Sequence, residues 1–229
     1  MSMRLALKEH GTGDRLCALV HGFTDDRDTW WRVAPAIAEL GYRVICPDLR
    51  GHGRSPRSKD YSVAAMAGDL VETLPAGLEF VAGHSLGGRL LGDAVSELRP
   101  QRAIYLDPAW HVGPIPSGRP DPKRMSRADI EAMHRGWEPR DVDVELSSFA
   151  AWDPDSAMCL EELSGTEFAP PRPEVPSLVV LADRSPLVPP ASQAHLRSVG
   201  FAFRTVRGAG HVLHRDDISG FMAALEDWI

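Results

Sequence analysis

The hexapeptide Gly83-His84-Ser85-Leu86-Gly87-Gly88 constrains this chain more than any other stretch. It follows a strand-like run, Phe80-Val81-Ala82, and opens a segment with apolar residues at helical spacing (Leu86, Leu90, Leu91, Ala94, Val95, Leu98). This is G-x-S-x-G between a strand and a helix, the context that the motif requires. Small residues at 83 and 87 let the backbone turn sharply, so the Ser85 hydroxyl stands clear of the sheet. The helix start beneath it offers free N–H groups and partial positive charge. Leu86 N–H is thereby placed to stabilise an oxyanion. The plain alternative is a glycine-rich turn around a buried serine, which the flanking strand and helix disfavour.

The same rhythm of apolar strand and helix runs through most of the chain. Strand-like runs are 16–20, 42–46, 79–82, 103–106, 178–181 and 201–206, with helical patterns at 29–40, 66–74, 86–98 and about 218–228. Continuous apolar strands alternating with helices predict an α/β fold, a mostly parallel sheet covered on both faces in three layers. The first segment, Arg4 to Leu7, turns at 10–13 and is expected to pair antiparallel with the run ending at Val20. Residues 110–176 break the rhythm, and most of the 19 prolines fall between Pro108 and Pro190. Helical pieces are expected there at 126–137 (Ser126 capping, Asp129 three residues on), 141–152 and 154–163. The expected organisation is a core of 1–109 and 177–229, with 110–176 as an inserted cap.

Composition bounds the function. The 229 residues carry 25 Lys+Arg against 32 Asp+Glu, a net charge of −7. That balance, without a basic stripe, argues against nucleic acid or an anionic membrane as partner and leaves a small molecule. Three cysteines without CxxC spacing, Cys17, Cys46 and Cys159, give neither a disulfide framework nor a zinc site, and Cys17 and Cys46 are expected as buried thiols. The N-terminus has too short an apolar part for a signal peptide, and no run approaches a membrane span. A cytoplasmic setting is expected. No metal or organic cofactor is implied, since no ligand cluster and no strand-linked GxGxxG occur. Oligomeric state is not readable.

A serine nucleophile needs a base, and the base needs an orienting acid. Among nine histidines, His211 in Gly208-Ala209-Gly210-His211 lies in a loop after the last strand and is the best base. His214 is the rival. His84 adjoins Ser85, but neighbours on a sharp turn diverge. Asp183, following the apolar strand 178–181, is preferred as the acid because Ser85, Asp183, His211 reproduces one hydrolase order. Asp107, also just past a strand, is the rival acid. His21-Gly22-Phe23 follows the strand ending at Val20, and Gly22 permits a turn that aims Phe23 N–H into a pocket. His21 reads as structural, as do Asp48, Arg50 and His52 in DLRGHGRS (48–55).

These stretches together resemble the alpha/beta-hydrolase fold superfamily: HGF at 21–23, DLRGHGRS at 48–55, GHSLGG at 83–88, ADRSPLVP at 182–189 and GAGH at 208–211, in order. The resemblance spans nearly the whole chain except 110–176, which corresponds to the cap. It implies Ser85 as nucleophile, Asp183 as acid, His211 as base, and Phe23 and Leu86 as oxyanion donors. Dehalogenases and epoxide hydrolases of this fold carry aspartate where Ser85 stands. A serine hydrolase of a small ester, lactone or thioester is the expected activity.

GGR at 87–89, with HGF, an acidic loop and Trp30, is also similar to the SHCHC synthase of the menaquinone pathway, a lyase in which arginines hold an acidic substrate. Arg89 is the candidate for that role, although a solvated helix residue is the preferred reading. The run Asp25-Asp26-Arg27-Asp28 fits an anionic substrate poorly and reads equally as an exposed loop. A non-catalytic binder on this fold is the third possibility. Trp110, Trp137, Trp152, Phe149, Met133 and Met158 are expected to divide between packing and pocket wall, with Trp110 and Trp137 as candidate substrate contacts.

Overall fold

In a computed structural model, residues 2–114, 121–165 and 167–229 are described. Seven strands form one sheet: β1 (Leu7–His10), β2 (Arg15–Val20), β3 (Tyr42–Pro47), β4 (Phe80–His84), β5 (Arg102–Leu106), β6 (Ser177–Ala182) and β7 (Ala202–Val206). Their order is β1-β3-β2-β4-β5-β6-β7, and every pairing except β1 with β3 is parallel. The expected partner of the first strand was the run ending at Val20. Instead Leu7 pairs with Pro47, because β3 and β4 already occupy both edges of β2. On this side of the sheet the outer edge of β3 is open to it.

Alternation along the strands divides the core into two layers. Ala18, Val20, Val81, Ala103, Tyr105 and Val179 face one side, where they pack with α2 (Val63–Thr73) and α3 (Leu86–Leu98). Cys17, Leu19, Phe80, Ala82, Ile104 and Val180 face the other, against α1 (Val33–Glu39) and α9 (Ile218–Leu225). The strands are therefore apolar on both faces, and each fully buried Leu or Val contributes about 1.5–3 kcal/mol. All three cysteines are buried and free. Among the described residues, no helix is long and apolar enough to cross a membrane.

Between β5 and β6 lie α4 (Arg127–Met133), α5 (Pro139–Ala151), a 3-10 turn at Pro154–Ala157 and α6 (Met158–Leu163). Residues 115–120 and 166 of the expected cap lie outside the described residues. Ser126 accepts from Asp129 N–H while Asp129 accepts from Ser126 N–H, the reciprocal cap anticipated for α4. Ile130, Trp137, Val142 and Phe149 form a small cluster of their own. The helices at 190–198 (α7) and 213–216 (α8) complete the set that the site uses. The helix anticipated at 29–40 is divided, a 3-10 turn at Arg27–Trp30 preceding α1.

Candidate active site

The sheet order places a switch point between β2 and β4. From β2 the chain moves outward to β3, then returns to the opposite side of β2 as β4. Open parallel sheets bind ligands in the crevice beyond the carboxyl ends at such a point. Val20 pairs with Gly83, so the turn His21-Gly22-Phe23 and the elbow at Ser85 emerge side by side.

Ser85 adopts φ 51° and ψ −113°, the strained backbone of a sharp strand-to-helix turn. Its N–H donates to Leu106 O at 2.9 Å, and its carbonyl accepts from Arg89 N–H and Ala109 N–H, both at 3.0 Å. These bonds pin the elbow from two sides. Glycine at 87 is obligatory, since an added Cβ would lie 2.5 Å from Val20 O and 2.6 Å from His21 O. The start of α3 thus rests directly on the end of β2.

His211 is brought over the elbow by the loop after β7. Its Nε2 lies 2.9 Å from Ser85 Oγ, and its Nδ1 lies 2.7 Å from Asp107 Oδ2. The expectation that Asp183 orients the histidine is corrected here. Asp183 is exposed, and its main-chain N–H bonds Ala209 O at 3.1 Å, so its backbone steadies the histidine loop instead. The reason is lateral position. β5 is the immediate neighbour of β4, whereas β6 is one strand further out, roughly 5 Å more. Asp107, fully buried and at φ 41°, folds back from β5 toward His211 and also accepts from Ala182 N–H at 3.2 Å. Burial pushes its carboxyl upward, but the hydrogen bond and charge of His211 outweigh that, leaving it below the ordinary carboxylate range.

The turn at 22–24 is held by two buried histidines that the sequence read as structural. His21 Nε2 accepts from Leu49 N–H at 2.9 Å, so its Nδ1 carries the proton and donates to Gly22 O at 2.8 Å. His52 accepts from Thr24 N–H at 3.4 Å through Nε2 and donates through Nδ1 to Arg50 O at 2.9 Å. Burial pushes His21 down to about 4 and His52 to about 3, so both are neutral. Gly22 approaches the elbow closely: a Cβ there would stand 3.2 Å from Ser85 Cβ. Neither Phe23 N–H nor Leu86 N–H is spent on a carbonyl of the described residues.

The remaining candidates sort differently from expectation. Arg89 is buried, paired with Asp93 at 2.6 Å and stacked over Phe168 at 4.7 Å, not a solvated helix residue. Trp110 is fully buried between Tyr105 and Phe201, a core residue and not a pocket wall. Trp137 donates to Asp216 at 2.7 Å and stacks on His134, which ties the insertion to the histidine loop. Trp152 is the tryptophan that meets the turn at 22–24, edge to face with Phe23 at 5.3 Å. Met133 and Met158 are exposed and do neither job.

The acidic run is no exposed loop. Asp25, Asp26 and Arg27 are buried. Arg27 N–H donates to Asp48 at 2.8 Å, and Asp25 pairs with Arg215 at 2.7 Å. Arg215 also binds Glu145 of α5 and Thr29, with the Trp137 ring 4.8 Å from its guanidinium. Burial raises the carboxyls of Asp25 and Glu145. No sequence pattern marked this network, since its members come from three separated segments. Among the described residues, no group of three or more His, Cys, Asp or Glu is placed to hold a metal.

A strained serine between strand and helix, met by a histidine–aspartate pair at a switch point, defines the class of protein, and comparison with known proteins agrees. The chain belongs to the alpha/beta hydrolase family, whose model matches residues 18–224. It is 28% identical to N-formylmaleamate deformylase of Pseudomonas putida over 97% of this chain and 91% of that protein. The solved N-formylmaleamic acid deformylase of Pseudomonas putida S16 superposes with a TM-score of 0.79 at 22% identity, covering 96% of this chain and 94% of that one. A thermophilic esterase from Thermogutta terrifontis gives 0.73 at 23% identity, over 98% and 92% of the two chains.

Proposed function

We propose that this chain is a serine hydrolase of a small acyl substrate, an ester, lactone or thioester, acting through a Ser85–His211–Asp107 triad. The observation that carries the reading is the unbroken line of contacts from Ser85 Oγ through His211 to Asp107, at 2.9 and 2.7 Å. His211 Nε2 takes the hydroxyl proton as Ser85 Oγ bonds to the substrate carbonyl carbon. The carbonyl electrons move to oxygen, and the oxyanion accepts from Phe23 N–H and Leu86 N–H. His211 then returns the proton to the leaving oxygen or sulfur as that bond breaks. Water, losing a proton to His211, releases the acyl group and restores Ser85. Asp107 keeps the proton on Nδ1 and supports the imidazolium. The side chain of His211 is 41% exposed, so small substrates reach it without deep burial.

A formamide is the second reading, favoured by the deformylase relative that matches nearly end to end. The same residues serve it, with nitrogen as the leaving atom. The lyase alternative draws less support, because the guanidinium of Arg89 is engaged by Asp93 and Phe168. In this reading 110–176 acts as the cap over the core of 1–109 and 177–229.

The test is labelling with a fluorophosphonate probe, read by mass spectrometry, alongside initial rates on p-nitrophenyl acetate and an N-formyl amide. A single adduct on Ser85, lost in Ser85→Ala and His211→Ala, supports the mechanism. Wild-type rates in Ser85→Ala would overturn it.

A further inference from the structure

β4 ends on His84, a residue that the proposed chemistry leaves idle. It is buried, and its Nε2 lies 2.9 Å from the main-chain oxygen of His211. A carbonyl only accepts, so Nε2 carries the proton and Nδ1 is bare. That bare nitrogen has no hydrogen-bond partner among the described residues. It faces the oxyanion turn: a Cβ on Gly22 would lie 2.9 Å from His84 Nδ1. The His84 ring stands 4.7 Å from that of His211, tilted by 39°, and 5.0 Å from that of His214. One imidazole therefore ends the strand that leads to the nucleophile, bonds the backbone of the base and abuts the oxyanion turn.

We propose that His84 is a positioning residue which, as a neutral Nε2–H imidazole, fixes the main chain of His211 over Ser85 and seats Gly22 beside it. This rests on the reading of Ser85 and His211 as the reacting pair. An apolar side chain of similar size would remove the orphaned Nδ1, yet it would also lose the only donor that His84 offers to the histidine loop. Retaining a buried nitrogen without a partner is accounted for by the bond made at the other end of the ring. The neutral state is secured by its surroundings. The groups facing His84 are His211, His214, Arg215 and Asp107; burial first, and then the nearness of His211, push it down to about 3. When His211 takes the Ser85 proton, its positive charge appears beside His84 and disfavours a second one. His84 accepts no proton during turnover.

The experiment compares His84→Phe, which keeps a ring but loses the donor, with His84→Gln, whose amide N–H can reach the same carbonyl. Steady-state kinetics on p-nitrophenyl acetate across pH 5–9 are paired with thermal melting and with NMR of 15N-labelled histidine rings. The Phe variant should lose about tenfold or more in kcat with KM nearly unchanged, and the pH profile should shift, because a small displacement of the base costs rate and not binding. Gln should recover most of that loss. In the wild-type protein the ring nitrogens should report His84 as the Nε2–H tautomer. A folded Phe variant with wild-type kcat and pH profile would overturn the proposal, as would a Gln variant no better than Phe, or a wild-type Nδ1–H tautomer. If the wild-type protein neither turns over nor takes a phosphonate, the hydrolase reading fails. The tautomer and the response of the His211 ring signals to His84→Phe still decide whether His84 holds that loop.

Discussion

His211 Nδ1 lies 2.7 Å from Asp107 Oδ2, so the aspartate that meets this histidine stands at the end of β5 and not at the end of β6. The two aspartates are therefore separable by experiment. Asp107→Asn should cut kcat by about 10²–10⁴, because the amide no longer selects the Nδ1–H tautomer or supports the imidazolium. Asp183→Asn should stay within about threefold of wild type, since only its backbone serves the loop. Rates on p-nitrophenyl acetate decide it, and equal losses in the two variants would contradict the assignment.

Gly22 offers a second handle. An added methyl there would press on His84 Nδ1 at 2.9 Å and Ser85 Cβ at 3.2 Å. Gly22→Ala should displace Phe23 N–H and lower kcat by about 10²-fold, comparable to loss of one oxyanion donor, with KM little changed. Unaltered kcat would remove this turn from the mechanism.

Two tryptophans from the same sequence expectation should part company. Trp110 is core, so Trp110→Ala should cost about 3–5 kcal/mol of stability by opening a cavity. Trp152 braces Phe23 from the insertion, so Trp152→Leu should act chiefly on kcat/KM. Denaturant melts beside kinetics separate the two effects.

The Arg215 network joins the histidine loop, the turn at 25–29 and α5. Arg215→Met strands Asp25 and Glu145 without their cation, at a cost of about 3–5 kcal/mol. For a chain of this length that is a fall in Tm of about 6–20 °C. Adding Asp25→Asn and Glu145→Gln should recover most of the loss, because no uncompensated charge then remains. A triple variant as unstable as the single one would contradict this.

Acid should destabilise the protein through its buried neutral histidines. His21, His52, His84 and His214 are all held below the ordinary histidine value, burial being the first cause in each. Unfolding lets each take up a proton below about pH 6.5, so the unfolded state binds more protons and stability falls as pH drops. Each group contributes up to about 1.4 kcal/mol per pH unit until its folded value is reached. Buried Asp25, Asp26 and Asp48 and the partly buried Glu145, all raised from the ordinary carboxylate value, bind protons earlier in the fold and oppose the trend at its acid end. His52→Gln should flatten the slope of stability against pH between 6 and 5 by close to one proton. An unchanged slope would show that His52 is not neutral in the fold.

Legible in the sequence alone were the strand–elbow–helix at 80–98, the α/β alternation, and the serine and histidine that meet at the elbow, Ser85 and His211. Each is written in contiguous residues whose spacing carries a local physical rule: period-two burial, helical periodicity, and small residues where backbones must touch. Tertiary structure decided which aspartate meets His211. Asp107 and Asp183 both follow apolar strands, and nothing local to either states which strand lies next to β4. It likewise decided that β1 joins β3, that Trp110 is core, and that an apparently exposed acidic loop is buried against Arg215. Those outcomes depend on which segments meet across about 40 to 190 residues of chain, and lateral order in a sheet is set by the packing of all its elements together, not by any window of sequence.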